Sequence, residues 1–146
     1  MSLERNKQVV VTSFLLIETG DPKLADEFIA DDFVNLEAAD DPEHEARNLS
    51  GPAGLLATGA WLRAAFADLR FEGIELTAEN ETVVVQAIMT GRHTGEFQGI
   101  APTGRPFRQR QIHVFKVRAE KIREHRAVRD DLGLLLHLGW SPDGTE

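Results

Sequence analysis

Two histidines, His113 and His125, carry the chain's best case for chemistry. They lie in two runs of alternating apolar and polar residues, 107–118 and 121–130, which meet at Ala119-Glu120. A period of two broken by a short turn predicts a β-hairpin. The turn lacks the Asn-Gly or Asp-Gly pair of a strong hairpin, so the prediction rests on alternation alone. Side chains alternate between the faces of a strand. Phe107, Gln109, Gln111, His113, Phe115 and Val117 therefore share one face, and Arg123, His125, Ala127 and Arg129 another. The parity allows both histidines to point to one side of one sheet, where a neutral imidazole can donate to a substrate oxygen. Each also has a plainer reading, as a satisfied core histidine. Arg129 can meet an anionic or quinone oxygen, or pair with one of the many acids. Asp130 has the parity of Val128, and Asp130 or Asp131 reads as the N-cap of the last helix. A strand-end bulge turning Asp130 inward would instead make it a candidate base. A metal shared by the histidines is not expected. No acidic residue falls on their face, and no histidine pair is spaced i, i+4. His93 reads as loop-supporting, and His44 and His137 as surface residues.

The elements that must hold this hairpin follow from periodicity. Leu3 to Thr19 predicts a helix, with Val9, Val10, Phe14 and Ile17 at helical spacing and Gly20-Asp21-Pro22 as its stop. Asp21 caps a second, shorter helix with Pro22 at its first position, burying Leu24, Phe28 and Ile29. Residues 30–35 read as a helix exit into an extended segment. The acidic, aperiodic stretch from Asp40 to Ser50 reads as a surface loop, with residues 40–45 able to gate a pocket mouth. A third helix runs from Ser50-Gly51-Pro52 to about Ala67, with Leu55, Leu56, Trp61, Leu62, Ala65 and Phe66 on its apolar face. Then the period changes to two. Residues 71–78 and 82–94 predict strands, and 95–104 a loop carrying Phe97 and Ile100. Residues 131–138 predict a short last helix with Gly139 as its stop. Helices segregated from four meandering strands mean α+β. A curved antiparallel sheet with helices over one face encloses a cone-shaped pocket suited to a small molecule. Trp61, Phe66, Met89 and Phe115 are candidate walls for a flat ligand. Asn35 can meet a ligand carbonyl or cap a turn.

Composition removes other chemistries. With 146 residues, one domain spanning 1–146 is the expectation. There is no cysteine, which excludes disulfides, thiolate metal sites and cysteine nucleophiles. There is no tyrosine either, so no phenol serves as acid or oxyanion donor. With 16 basic and 24 acidic residues the formal net charge is −8. Such a surface disfavours nucleic acid and anionic membrane as partners. No signal-peptide pattern and no membrane-length apolar run are present, so a cytoplasmic protein is expected. The strand face Arg108, Arg110, Ile112, Val114 and Lys116 is a candidate interface on alternation alone.

In order along the chain stand D-D-F-V-N (31–35), G-P-A-G (51–54), W-L-R-A-A-F-A-D-L-R-F (61–71), H-T-G-E-F-Q-G-I-A-P-T-G-R (93–105), I-H-V-F-K-V (112–117), K-I-R-E-H-R-A-V-R-D (121–130) and L-G-L-L-L-H-L-G (132–139). No single one is specific, but the ordered set resembles the SnoaL-like polyketide cyclase family over nearly the whole chain. The resemblance implies the cone-shaped barrel of the nuclear transport factor 2-like superfamily, a homodimer or higher homo-oligomer, and no metal or organic cofactor. It implies a polycyclic aromatic polyketide as substrate. In the cyclases of this family an aspartate two residues after the K-I-x-x-H histidine acts as general acid/base in an intramolecular aldol condensation. Here that histidine is His125 and the position two on is Ala127. His113, Asn35 and Gln111 match other residues of the cyclase pocket. The family also implies a hydroxylase-type branch that lacks the aspartate and acts on electron-rich hydroquinones with oxygen, with a reductase as a possible partner. Ala127 fits that branch better than a cyclase. A displaced base in a polyketide ester cyclase, and a non-catalytic binding module, are the alternatives.

Overall fold

The computed structural model describes residues 2–37 and 49–143, so most of the 40–50 loop and His44 lie outside the described residues. The chain opens with α1 (Leu3–Thr19), α2 (Pro22–Phe28) and β1 (Ile29–Asn35). After α3 (Pro52–Ala65) come β2 (Phe66–Glu79), β3 (Thr82–His93), β4 (Pro106–Arg118), β5 (Lys121–Arg129) and α4 (Asp131–His137). Local chemistry sets most of these bounds. The Ser2 side chain accepts from the Arg5 N–H to start α1. Gly20 ends it in the left-handed conformation, at φ 73°, which costs glycine little. Asp21 caps α2 through the Lys23 N–H, with Pro22 in the first turn, as the sequence predicts.

One five-stranded sheet runs in the order β1-β5-β4-β3-β2. Strands β2 to β5 form an antiparallel meander, and the extended segment after α2 adds a fifth strand, β1, parallel to β5. The β4–β5 hairpin turns on Ala119 and Glu120, both with positive φ (50° and 61°). A two-residue turn with both residues left-handed matches the twist of the strands, which is why the hairpin closes without Asn-Gly. Register breaks in β2 fall beside Asp68 and Gly73, both at positive φ. Such bulges bend a strand and curl the sheet around the helices.

The helix predicted to reach Ala67 ends at Ala65, and Phe66 opens β2 instead. Phe66 is buried either way, so its apolar character does not decide between the two. The concave face is filled by α1 and α3. Phe14 of α1 meets Phe71, His113 and Phe115 edge-on, with centroids 4.9, 5.0 and 5.9 Å away. On the outer face Ile112 and Val128 are exposed. Among the described residues, no helix is long and apolar enough to cross a membrane.

Candidate active site

Strands β4 and β5 bring the two histidines together inside the cone. His113 opposes Ala127, and Phe115 opposes His125, so the imidazoles meet on the diagonal. His113 Nδ1 lies 2.8 Å from His125 Nε2. Both are buried, and so are Gln109 and Gln111 on the same face of β4. Buried polar groups need partners, and these four find them in one another. His125 Nδ1 lies 3.0 Å from Asn35 Oδ1 at the end of β1. His113 Nε2 donates to Gln111 Oε1 at 2.7 Å. Gln111 Nε2 donates to Gln109 Oε1 at 2.8 Å, and Gln109 Nε2 to Asp131 Oδ1 at 3.1 Å. The result is one row of hydrogen bonds from Asn35, deep in the cone, to Asp131 at the start of α4. Asn35 Oδ1 also accepts from the Glu37 N–H, while its Nδ2 is buried and unpartnered.

The space around the row is in two parts. The inner cavity, about 30 Å³, is lined by Ser13, Phe14, Asn35, Thr58, His113, Phe115, His125 and Arg129 among others. The mouth cavity, about 150 Å³, is lined by residues including Glu37, Trp61, Met89, Gln109, Arg129 and Asp131. Arg129 and Leu62 belong to both walls. Arg129 is held there by two hydrogen bonds to Glu37, at 2.5 and 2.6 Å, with each side chain 16% exposed. A ligand site for a drug-sized molecule usually holds roughly 300–1,000 Å³. Each of these spaces is smaller than that, so neither holds a polycyclic ligand as it stands.

Burial governs the electrostatics. Desolvation, helped by the nearby Arg129 charge, lowers the His125 pKa to about 4. Glu37 opposes the shift but does not cancel it. Desolvation, the His125 ring and Arg129 hold His113 well below the usual imidazole range. Both rings are therefore neutral at pH 7. At the exposed end of the row, partial burial of the carboxyl group raises Asp131, with Arg129 opposing.

The structure sorts the predicted residues. His113, His125, Asn35, Phe115 and Arg129 share the inner cavity wall. Trp61, with its ring 5.2 Å from that of Phe97, and Met89 line the mouth. Gln111 joins the row and also donates to Met89 Sδ at 3.5 Å. Phe66 is core, packed with tilted rings 4.5–5.9 Å from Phe107, Phe97 and His93, and does not line these cavities. Asp130 is not an inward base. It is exposed, and its Oδ1 accepts from the Gly133 N–H at 2.9 Å as the N-cap of α4. Its parity already opposed an inward position, and β5 stays regular to its end. Both nitrogens of each imidazole are engaged in the row, so neither presents a free N–H to the cavity. His93 binds the Thr103 hydroxyl, 3.1 Å away, and supports the 94–104 loop. Gln109, Glu37 and Asp131 complete the site, but sequence reasoning did not single them out. The available signal was three polar residues, Gln109, Gln111 and His113, at successive inward positions of one strand.

A profile of the SnoaL-like polyketide cyclases matches residues 8–138. The chain belongs to that family. Among relatives, nogalonic acid methyl ester cyclase of Streptomyces nogalater is 31% identical over 128 residues, 86% of this chain and 92% of that one. Aklanonic acid methyl ester cyclase DnrD of Streptomyces peucetius is 36% identical over 122 residues, 81% of each chain. AclR of Streptomyces galilaeus, a candidate hydroxylase, superposes with a TM-score of 0.76 at 24% identity, covering 97% of this chain and 85% of that one. That likeness shows the fold alone. Within this SnoaL-like chain, the position expected to hold the cyclase aspartate is Ala127, directly opposite His113.

Proposed function

We propose that this chain binds a polycyclic aromatic polyketide of the anthracycline type and modifies it as a cofactor-free tailoring enzyme, of hydroxylase type. One observation carries the reading. Among the described residues, the inner cavity wall offers two neutral histidines, an arginine and an asparagine, and no carboxylate. Aldol ring closure begins with removal of a proton beside a carbonyl, where a positioned base contributes roughly 10²–10⁴-fold. Ala127 cannot take a proton, and an imidazole held near 4 is a weak base at pH 7. Glu37 is bound to Arg129, and Asp131 stands at the mouth.

Hydroxylation asks less of the wall. A hydroquinone ring is electron-rich enough to react with oxygen, and the protein need only bind it and polarise its oxygens. A ring C–H bond is replaced by C–OH. The second oxygen atom leaves as water, and the two electrons come from a reductase that returns the ring to its reduced form. Arg129 and the Asn35 amide meet ring oxygens, while Trp61, Met89 and Phe115 pack on the ring faces. Gln111 holds His113 in place. The exposed Ile112 and Val128 offer apolar surface for the homo-oligomer that belongs to this reading.

The identity to two ester cyclases favours a second reading, ring closure with a displaced base. One experiment separates them. A reduced anthracyclinone and a ring-open methyl ester are each offered to the unaltered protein and to Ala127→Asp, with a reductase and an oxygen electrode. Oxygen uptake with a hydroxylated product supports the hydroxylase. No uptake with the reductase present, together with ring closure by the unaltered protein, establishes the cyclase.

A further inference from the structure

The row from Asn35 to Asp131 has five links and four side chains between its ends. Each of those four, His125, His113, Gln111 and Gln109, is neutral and gives the row one donor and one acceptor. Both ends, Asn35 Oδ1 and the Asp131 carboxylate, are acceptors. Five links therefore share four protons. With the glutamines as they stand, His113 carries its proton on Nε2, His125 does likewise, and the bare His125 Nδ1 faces the Asn35 oxygen.

Two arrangements complete the row. In the first Asp131 is ionised, both imidazoles are Nε2–H, and the Asn35 amide makes a half-turn to donate from Nδ2 to His125 Nδ1. This uses the nitrogen that otherwise has no partner, at the expense of the bond from the Glu37 N–H. In the second Asp131 is protonated and donates to Gln109. Both glutamine amides turn over, both imidazoles become Nδ1–H, and His125 donates to Asn35 Oδ1. The Glu37 bond is kept.

We propose that Asp131 is a positioning residue whose charge selects the tautomers of both buried histidines, through Gln109 and Gln111. The consequence reaches the cavity through Asn35. With Asp131 ionised, the asparagine turns its carbonyl oxygen to the position now held by Nδ2, matching a phenolic hydroxyl. With Asp131 neutral, it offers an N–H, matching a ketone oxygen. This deepens the substrate reading of the same site, but the test needs no substrate. Among the described residues, the charged groups facing the histidines are Arg129 and Glu37, bound to each other. Helices α1 and α3 bring only Ser13, Thr58 and apolar side chains to that wall. Asp131 itself faces Arg129, Glu37 and Asp130. Its partial burial, which raises its pKa, brings the switch closer to neutral pH.

Long-range proton–nitrogen NMR spectra distinguish bare from protonated ring nitrogens and assign each tautomer. In the unaltered protein at pH 7, His113 and His125 are expected as Nε2–H. Asp131→Asn removes the obligate acceptor, and the arrangement that keeps the Glu37 bond then wins. The tautomer ratio at both rings should move toward Nδ1–H by about fivefold to tenfold, the equivalent of one net hydrogen bond. In a Gln109→Leu background the row is cut, and Asp131→Asn should leave the histidines unchanged. Identical tautomers with and without Asp131→Asn, or a shift that survives Gln109→Leu, overturns the proposal. Neither result bears on whether the protein hydroxylates or cyclises its substrate.

Discussion

Acid should unfold this protein through its buried imidazoles, and by an amount the structure sets. The perturbation is a drop from pH 7 to pH 4.5. In the unfolded chain His125 titrates near the ordinary imidazole value of about 6.5. In the folded protein desolvation and Arg129 lower it to about 4. Between those values the unfolded chain holds the proton and the folded one does not, so stability falls as the pH falls. Below both, the loss is on the order of 3 kcal/mol for this one group. At pH 4.5 most of it, roughly 2–3 kcal/mol, is already expressed. That is a large share of the ~5–15 kcal/mol that holds a typical domain. His113 adds to it in the same direction. Asp131 works against it, because a raised carboxyl takes up its proton in the folded state first. The assay is urea unfolding at the two pH values for the unaltered protein and for His125→Gln. The variant loses hydrogen bonds at both pH values, so the quantity compared is the drop between them. It should be smaller in His125→Gln by about 2 kcal/mol or more. Equal drops, or an NMR titration placing His125 near 6.5 in the folded protein, would refute the reasoning.

Two further outcomes follow from the same geometry. Asp130→Ala should remove the cap of α4 at a stability cost of about 1 kcal/mol in urea unfolding, with ligand affinity unchanged. Arg129→Met removes two charge-assisted hydrogen bonds to Glu37, so it should lower stability by roughly 1.5–3 kcal/mol. Arg129→Met combined with Glu37→Gln should recover part of that loss, and a double-mutant cycle with purely additive costs would show the bond to be worth nothing.

The parts of this fold that repeat locally were legible in the chain. Alternation gave the β4–β5 hairpin and the shared face of its histidines, because a pleated strand turns each residue over. Stop and cap signals gave the end of α1 and the start of α2, because Gly20 and Asp21 act within a few residues of themselves. Strand β1 was read only as extended, since its partner β5 lies some ninety residues away and no local pattern encodes a parallel register. The end of α3 was misplaced because Phe66 suits the last turn of a helix and the first residue of a buried strand equally. The row had a legible half. Gln109, Gln111 and His113 alternate inward, and buried polar side chains at successive positions must bond to one another or to something opposite. Its other half needed the third dimension, because Asp131 reaches Gln109 only when α4 folds back beside β4.

Ala127 links the legible half to the chemistry. It stands directly across the hairpin from His113, at the closest position two strands allow. A methyl group there offers His113 no hydrogen bond, and the imidazole reaches its partner on the diagonal, at His125. A carboxylate at 127 would compete for His113 Nδ1 and raise the pKa of both rings through its charge. It would thereby break the row at its middle link. The alanine is thus more than the loss of a base. With alanine there the two neutral histidines hold each other, and on the hydroxylase reading proposed above the cavity wall acts as a set of fixed dipoles around Arg129. A wall of that kind suits binding an electron-rich, oxygen-bearing ring better than enolising a carbonyl. For that reason Ala127→Asp tests the hydroxylase reading at its root, since gained ring closure and a broken histidine pair should arrive together.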